Sequence, residues 1–177
     1  VEFRDFVAVV EAPLNEERSL AVMAEVYRLA PNKPIRYLVN THHHFDHSGG
    51  LRTYVAEGAT IVTHQANRDF YEKVLFSPAP RALQPDRLFA LNPDVVRDAV
   101  FEVVNQKYVL SDGTRMLDLY PVQGLGHATT MLVVYLPKEK ILVNADLYSP
   151  PAPGAPPPAS NPNMVTLNQT IQRLKLD

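Results

Sequence analysis

The residues best suited to chemistry in this chain lie in one short stretch, THHHFDHSGG, at positions 41–50. Four of the six histidines and one aspartate fall between His42 and His47. Neutral imidazole and carboxylate groups are ligands for zinc, and also for iron or manganese. The stretch therefore predicts a metal site for one or two ions, with zinc, iron and manganese as the candidates.

The structure around this stretch decides which side chains can share an ion. The β-branched run before it, IRYLVN, predicts a strand. If the chain stays extended beyond that strand, the side chains of His42, His44 and Asp46 project to one side and that of His43 to the other. Two imidazoles two residues apart on such a segment can share one ion. Asp46 and His47, beside the turn at the glycine pair, are placed to hold a second ion.

Other interpretations of the histidine run are weaker. A purification-tag remnant conflicts with its internal position and with its interruption by Phe45 and Asp46. A solvated loop conflicts with the strand before it and the glycines after it. A helical interpretation would pair His42 with Asp46 at a four-residue spacing, but the β-branched run and the glycine pair disfavour a helix there.

A metal site needs further ligands, and few residues can supply them. His127 lies in GLGHATT, where Gly124 and Gly126 would permit a tight approach before the next strand. Asp146 ends the strand KILVNAD, where a carboxylate could bridge two ions. Alone, each would be interpreted as a loop or turn residue, and only the histidine run favours the ligand interpretation. His64, at the end of TIVT, is more typical of a structural histidine.

The composition is that of a soluble globular protein. The 177 residues are 46% hydrophobic and 20% charged, with a net charge of −2. Lysines and arginines are scattered and are fewer than the acids, so no nucleic-acid partner is expected. No apolar run reaches the length of a bilayer span, so no membrane partner is expected. The absence of cysteine excludes disulfides and thiolate ligands. The sequence does not choose between cytoplasm and periplasm, and it does not predict the oligomeric state.

The order of elements predicts an α/β fold in one domain, residues 1–177. The first half alternates strands with helices: strands at 6–10, 35–40 and 60–63, and helices after Asn15 and at 51–56 and 65–75. The second half is mostly strands: 101–110 antiparallel to 115–122, and a hairpin of 130–136 with 140–146. A proline-containing surface connection at 77–94, a stiff prolyl loop at 149–162 and a final helix at 164–176 complete the prediction.

Together these motifs resemble those of the metallo-beta-lactamase superfamily. THHHFDHSGG resembles its His-x-His-x-Asp-His signature, GLGHATTMLVVYLP its second motif and ILVNAD its third, in the right order. The resemblance spans residues 6–176. It implies an αββα sandwich, in which two mixed sheets carry helices on their outer faces and the site lies at one edge. It also implies six metal ligands by position: His42, His44 and His127 for the first ion, Asp46 and His47 for the second, and Asp146 as a bridge.

The chain departs from the family pattern in ways that affect the site. The family's last metal ligand is a histidine on a strand after the final helix, and no histidine follows His127. The family's N-terminal hairpin is also missing before Val1. We therefore expect a truncated domain with a weak second metal. Residues 11–13, EAP, stand where many relatives have an Asp-containing turn. Histidine at position 44, where the diiron oxygen-reducing relatives carry glutamate, favours a hydrolytic zinc site over redox chemistry.

The implied function is hydrolysis of a small molecule. A metal-bound hydroxide would attack an ester, lactone, thioester or amide carbonyl, β-lactams included, with Asp46 as the catalytic residue that orients it. The segments 77–94 and 149–162, with Phe89 and Tyr148, would wall the pocket and favour a partly apolar substrate. The alternatives are a non-catalytic metal-binding or interaction domain and a metal-dependent phosphodiesterase. A phosphodiesterase acting on nucleic acid is disfavoured by the missing basic surface.

Overall fold

The computed structural model describes residues 1–77, 86–91 and 98–176. Within these ranges the strands are β1 Val7–Val10, β2 Ile35–Val39, β3 Thr60–His64, β4 Phe101–Val104, β5 Tyr108–Ser111, β6 Met116–Pro121, β7 Leu132–Leu136 and β8 Ile141–Val143. The helices are α1 Glu16–Leu29, α2 Phe45–Ser48, α3 Leu51–Ala56, α4 Gln65–Phe70 and α5 Pro162–Leu174. A π-helical segment, Tyr71–Leu75, continues α4. No helix among the described residues is long and apolar enough to cross a membrane.

The described strands form two four-stranded sheets. In the first, β1, β2, β3 and β4 are all parallel, and in the second β5, β6, β7 and β8 are all antiparallel. Helical crossovers join β1 to β2 and β2 to β3, which parallel pairing requires, whereas short connections join β5 through β8. The predicted two-sheet sandwich is present, but each sheet is uniform over the described strands rather than mixed.

Side chains along each strand point alternately to the two faces of its sheet, and this alternation produces the layers of the sandwich. One face of each sheet packs against the other sheet, through residues such as Ala8, Val39 and Val62 from the parallel sheet and Leu119, Leu132 and Val134 from the antiparallel sheet. The opposite face of the parallel sheet packs against α1 and α3 through Met23, Leu51 and Tyr54. The outer face of the antiparallel sheet packs against α5 through Leu167 and Ile171. The helices therefore lie outside both sheets, as expected.

One predicted strand is wrong. Residues 101–110 form two strands that belong to different sheets: β4 pairs with β3 in the parallel sheet, and β5 pairs with β6 in the antiparallel sheet. The chain passes from one sheet to the other at residues 105–107. An apolar run indicates extended backbone, but it does not carry the identity of the distant strand that will pair with it.

Most other predicted elements are present with small shifts at their ends. The side chain of Asn15 caps α1 by accepting a hydrogen bond from the Arg18 N–H at 3.0 Å. Residues 149–161 form neither helix nor strand and are exposed, as their proline content predicts. Pro162 instead begins α5, behind an Asn161 cap. The predicted connection at 77–94 lies partly outside the described residues.

The glycine pair after the histidine run is required by close packing. A Cβ at Gly49 would lie 2.0 Å from the backbone oxygen of Leu14. A Cβ at Gly50 would lie 1.9 Å from the Ser19 Oγ. The segment before α1 and the start of α1 therefore pack directly on the backbone that follows the candidate ligands.

We expect Gly49→Ala to lower the free energy of unfolding by about 2 kcal/mol or more, because the Leu14 backbone has to move to admit the new methyl group. Gly126→Ala is the matched control, since its Cβ would have no atom within 4 Å. Urea unfolding of both variants measures the difference. Equal stabilities for the two variants would show that the Gly49 contact is not tight in solution.

Candidate metal centre

The candidate ligands meet at one end of the sandwich. The run containing His42 follows β2, and parallel strands end at a common edge, which brings the residue after β1 to the same place. His127 lies between β6 and β7, and Asp146 follows β8. The Leu132 N–H donates to the Thr41 carbonyl at 2.9 Å and joins the two sheets beside the site. The ligands therefore come from both sheets.

The histidine run is extended only in its first part. His44 has φ −60° and ψ 145°, and the helical turn α2 starts at the next residue. The rings of His42 and His44 lie together, 4.5 Å apart, and the His43 ring lies 5.7 Å from that of Phe70. His42 and His44 thus lie together as expected, although the His43 ring is also within 5.1 Å of the His44 ring. The expected extended backbone ends before Asp46, which lies in the first turn of α2.

Four of the predicted ligands form a compact cluster: His42, His44, His127 and Asp146. One potential ligand atom from each lies within 4.8 Å of all the others. The Asp146 Oδ2 lies 3.0 Å from the His127 Nε2 and 3.3 Å from the His42 Nε2. Three imidazoles and one carboxylate are a donor set suited to a divalent transition-metal ion.

The backbone of Asp146 contributes to this arrangement. It has φ +60°, in the left-handed region that costs a non-glycine residue on the order of 1 kcal/mol. The Asn163 side chain donates to the Asp146 carbonyl at 3.2 Å and ties it to α5. A strained backbone at a residue whose carboxylate joins three imidazoles is typical of a functional site.

His42 is the buried member of the cluster, with 0% of its surface exposed. Its Nδ1 lies 3.0 Å from the Thr41 hydroxyl. Its Nε2 has no hydrogen-bond partner within the described residues, because the nearby Asp146 oxygen does not meet hydrogen-bond geometry. Burial, with a smaller contribution from the His47 and His44 charges, lowers the pKa of His42 to about 4. The imidazole is therefore neutral near pH 7, which is the form that binds a metal ion.

Asp46 and His47 lie to one side of this cluster. The His47 Nε2 lies 3.1 Å from the Asp146 Oδ2 and 3.5 Å from the Asp46 Oδ2. The Asp46 side chain is 62% exposed, whereas that of His47 is 16% exposed. Asp46 thus extends the cluster toward solvent, whereas His47 is less exposed than His127 and Asp146, and neither Asp46 nor His47 belongs to the compact group of four.

Comparison with known proteins agrees with this geometry. Residues 4–174 match the family model of the metallo-beta-lactamase superfamily. The chain belongs to the metallo-beta-lactamase superfamily. This membership confirms the resemblance inferred from the three motifs. No protein of curated function matches the chain at a significant level.

Solved structures share the superfamily fold. A metallo-beta-lactamase from Pontibacter korlensis is 17% identical, with 98% of this chain and 72% of that chain covered and a TM-score of 0.66. The mono-zinc form of FIM-1 from Pseudomonas aeruginosa is 20% identical, with 99% and 70% covered and a TM-score of 0.63. The flavodiiron protein from Giardia intestinalis is 21% identical, with 77% and 29% covered and a TM-score of 0.56. At such identities the likeness shows the fold alone.

Glu11 is a site residue of this superfamily member that the sequence motifs missed. It follows β1 with φ +76°, accepts a hydrogen bond from the Thr41 N–H at 2.8 Å and lies 2.9 Å from the His47 Nδ1. A carboxylate can only accept, so the His47 Nδ1 carries the proton and its Nε2 faces the centre. This hydrogen bond raises the pKa of His47. An acid directly after the first parallel strand, at the edge shared with the histidine run, is the signal that could have identified it.

The expectations for His64 and for the glycines before His127 have different outcomes. His64 lies outside the cluster and caps α4, where its Nδ1 accepts from the Ala66 N–H at 3.2 Å. The expected tight approach at Gly124 and Gly126 is wrong, because nothing lies within 4 Å of a Cβ at either position. Both glycines are exposed, although Leu125 between them is buried, and Gly124 instead supplies a positive φ of 71°.

We expect the metal-free chain to lose stability as the pH falls from about 6.5 to about 4. The unfolded chain binds a proton at His42 in this window and the folded chain does not, so acid favours unfolding, by on the order of 2–3 kcal/mol. His47 acts oppositely and at higher pH, because the stability from its raised pKa is lost as the pH rises through that value.

Urea unfolding at several pH values, with a chelator present, measures this dependence. His42→Asn should flatten the dependence between pH 6.5 and 4. His64→Asn is a control histidine outside the cluster and should flatten it less, since its pKa is lowered less. An unchanged slope in His42→Asn would contradict the assignment.

Proposed function

We propose that this chain is a zinc-dependent hydrolase of small molecules with an ester, lactone, thioester or amide bond. Superfamily membership and the histidine-rich cluster support a metal-dependent hydrolase. The observation that carries the proposal is the His42 Nε2, which is buried without a hydrogen-bond partner among the described residues and lies 3.3 Å from an Asp146 oxygen. A shared cation would satisfy both groups.

In this proposal His42, His44 and His127 hold the first ion. Asp46 and His47 hold a second, weaker ion, with Asp146 between the two. The compact cluster supports the first assignment. The contacts of His47 with Asp146 at 3.1 Å and with Asp46 at 3.5 Å support the second. The mono-zinc form of one structural relative makes zinc the first metal to test.

The bound metal would supply Lewis acidity that lowers the pKa of water toward neutrality and polarises a carbonyl oxygen. The protein residues would contribute positioning. The Asp46 carboxylate, 62% exposed at the solvent side of the cluster, would accept a hydrogen bond from the attacking water and orient it. Glu11 would hold His47 in the tautomer whose Nε2 faces the centre.

The surface beside the cluster suggests a partly apolar substrate. Phe45, between two candidate ligands, is 69% exposed, and Tyr148, two residues after Asp146, is 40% exposed. Phe70 contacts the His43 ring and is also exposed. We propose that these aromatic side chains contact the apolar part of a small substrate. Phe89, the other residue predicted to wall the pocket, is 49% exposed, and its contact with substrate stays a prediction.

We expect His44→Ala to abolish zinc binding at the first position and to lower hydrolysis by more than about a hundredfold, because a first-ion ligand is lost. His64→Ala, which removes a histidine outside the cluster, should retain zinc and activity. Elemental analysis on a sample of known intact mass gives the zinc content. Ester, lactone, thioester and β-lactam reporters measure turnover after zinc addition.

Each outcome distinguishes one interpretation. Zinc-dependent turnover that is lost in His44→Ala and kept in His64→Ala supports the hydrolase. Tight zinc binding with no turnover of any reporter contradicts it and supports a non-catalytic metal-binding domain. Cleavage of a phosphodiester reporter alone supports the phosphodiesterase. Turnover that survives removal of all metal would exclude the proposed chemistry.

A further inference from the structure

The segment that carries the candidate ligands has little regular structure to hold it. Residues 40–44, between β2 and α2, belong to no strand, although Asn40 and Thr41 each form one backbone hydrogen bond to a strand residue, and α2 itself is a single turn. The Ser48 hydroxyl supports it from inside by donating to the carbonyls of His44 at 2.9 Å and His43 at 3.1 Å. Backbone groups outside regular structure need such partners when they are buried. The remaining support comes from outside the segment.

Asn40 joins the two ends of the segment. It is fully buried, and its backbone N–H donates to the Val62 carbonyl at 2.9 Å. Its side-chain Nδ2 donates to the His47 carbonyl at 3.1 Å. The amide thereby connects the residue before the histidine run to the turn that carries Asp46 and His47. The connection exists only while the Asn40 Nδ2, and not its Oδ1, faces the His47 carbonyl.

Tyr71 fixes that orientation. It is fully buried in the first position of the π-helical segment, and its hydroxyl donates to the Asn40 Oδ1. Thr63, also buried, accepts from the Asn67 Nδ2 at 3.1 Å, and both Thr63 and Ser48 lie against the Tyr71 hydroxyl. Hydrogen bonds thus run from Tyr71 through Asn40 to His47, with Thr63 and Ser48 beside the Tyr71 hydroxyl. A reversed Asn40 amide would place two oxygens against each other at His47.

We propose that Tyr71 is a positioning residue: through Asn40, and through its contact with Ser48 in the turn itself, it sets the place of the α2 turn, and with it the ligands Asp46 and His47. The role belongs to the hydroxyl, because the Tyr71 ring packs in the core whether or not it carries oxygen. The part of this inference that concerns metal affinity rests on the proposed function. The part that concerns the backbone does not.

The test compares Tyr71→Phe with Tyr54→Phe. Both substitutions remove one hydroxyl from a tyrosine with 0% exposure, but the Tyr54 hydroxyl has no hydrogen-bond partner among the described residues. Hydrogen–deuterium exchange is measured on the metal-free chains. In Tyr71→Phe the amides of residues 47–49, which bond within the turn, should exchange about tenfold faster, while those of α1 stay unchanged. In Tyr54→Phe the amides of residues 47–49 and those of α1 should exchange at the same rates as in the parent chain.

A second measurement uses the metal. Titration with Co²⁺ followed by its visible absorption, and competition of Zn²⁺ with a chromophoric chelator, give the affinities of the sites. Tyr71→Phe should weaken the second ion by about tenfold, the range known for residues that orient ligands. Tyr54→Phe should bind both ions like the parent. Thr63→Val keeps the side-chain shape and removes a polar group beside the Tyr71 hydroxyl, so it should act in the same direction. It replaces Tyr71→Phe in the test if that variant does not fold.

The outcomes separate this inference from the proposed function. Unchanged exchange at residues 47–49 in both Tyr71→Phe and Thr63→Val overturns it. Equal acceleration in α1 and α2 also overturns it, since that is general destabilisation. A parent chain that binds no ion but shows the local exchange difference refutes the proposed metal site and leaves the positioning role standing.

Discussion

The arrangement of the site depends on one electrostatic constraint, which is a neutral imidazole buried beside a carboxylate. His42 is fully buried, and its Nε2 lies 3.3 Å from Asp146 without a hydrogen bond. Burial favours the uncharged ring, so no ion pair forms between the two groups near pH 7. Two lone-pair donors held together in this way are stabilised by a cation. A bound cation would explain why the backbone of Asp146 is held in a strained conformation and why histidines surround it.

The two-sheet fold is what allows such residues to meet. His42 and Glu11 follow parallel strands, whereas His127 and Asp146 belong to connections of the antiparallel sheet. The hydrogen bond from Leu132 to Thr41 fixes one sheet against the other beside the site. The large interior between the sheets is apolar and holds both edges in place. The ligands can therefore lie on loops and still keep defined positions.

Local signals made much of this predictable from the sequence. The strand before the histidine run, the strand before His127 and the Asn15 cap each depend on neighbouring residues, and all are present as expected. The partition of residues 101–110 between two sheets was not predictable, because it depends on distant pairing partners. Tyr71 was missed for the same reason, and Glu11 was noted only as a departure from the family turn. Their roles arise from contacts 30 residues away or more, with Thr41 and Asn40 respectively.

Different physical means hold the two sides of the cluster. The first side consists of His42, His44 and His127, and the second of Asp46 and His47. On the first side, burial and the junction of the sheets hold His42, and its position follows from the core. On the second side, Asp46 is mostly exposed and α2 is one turn long, so burial contributes little to the position of Asp46. His47 is held there by the hydrogen bond that its Nδ1 donates to Glu11 and by the one that its carbonyl accepts from Asn40. Core substitutions should therefore affect the first side most, whereas loss of single polar groups should affect the second, because a hydrogen bond fixes orientation where packing does not.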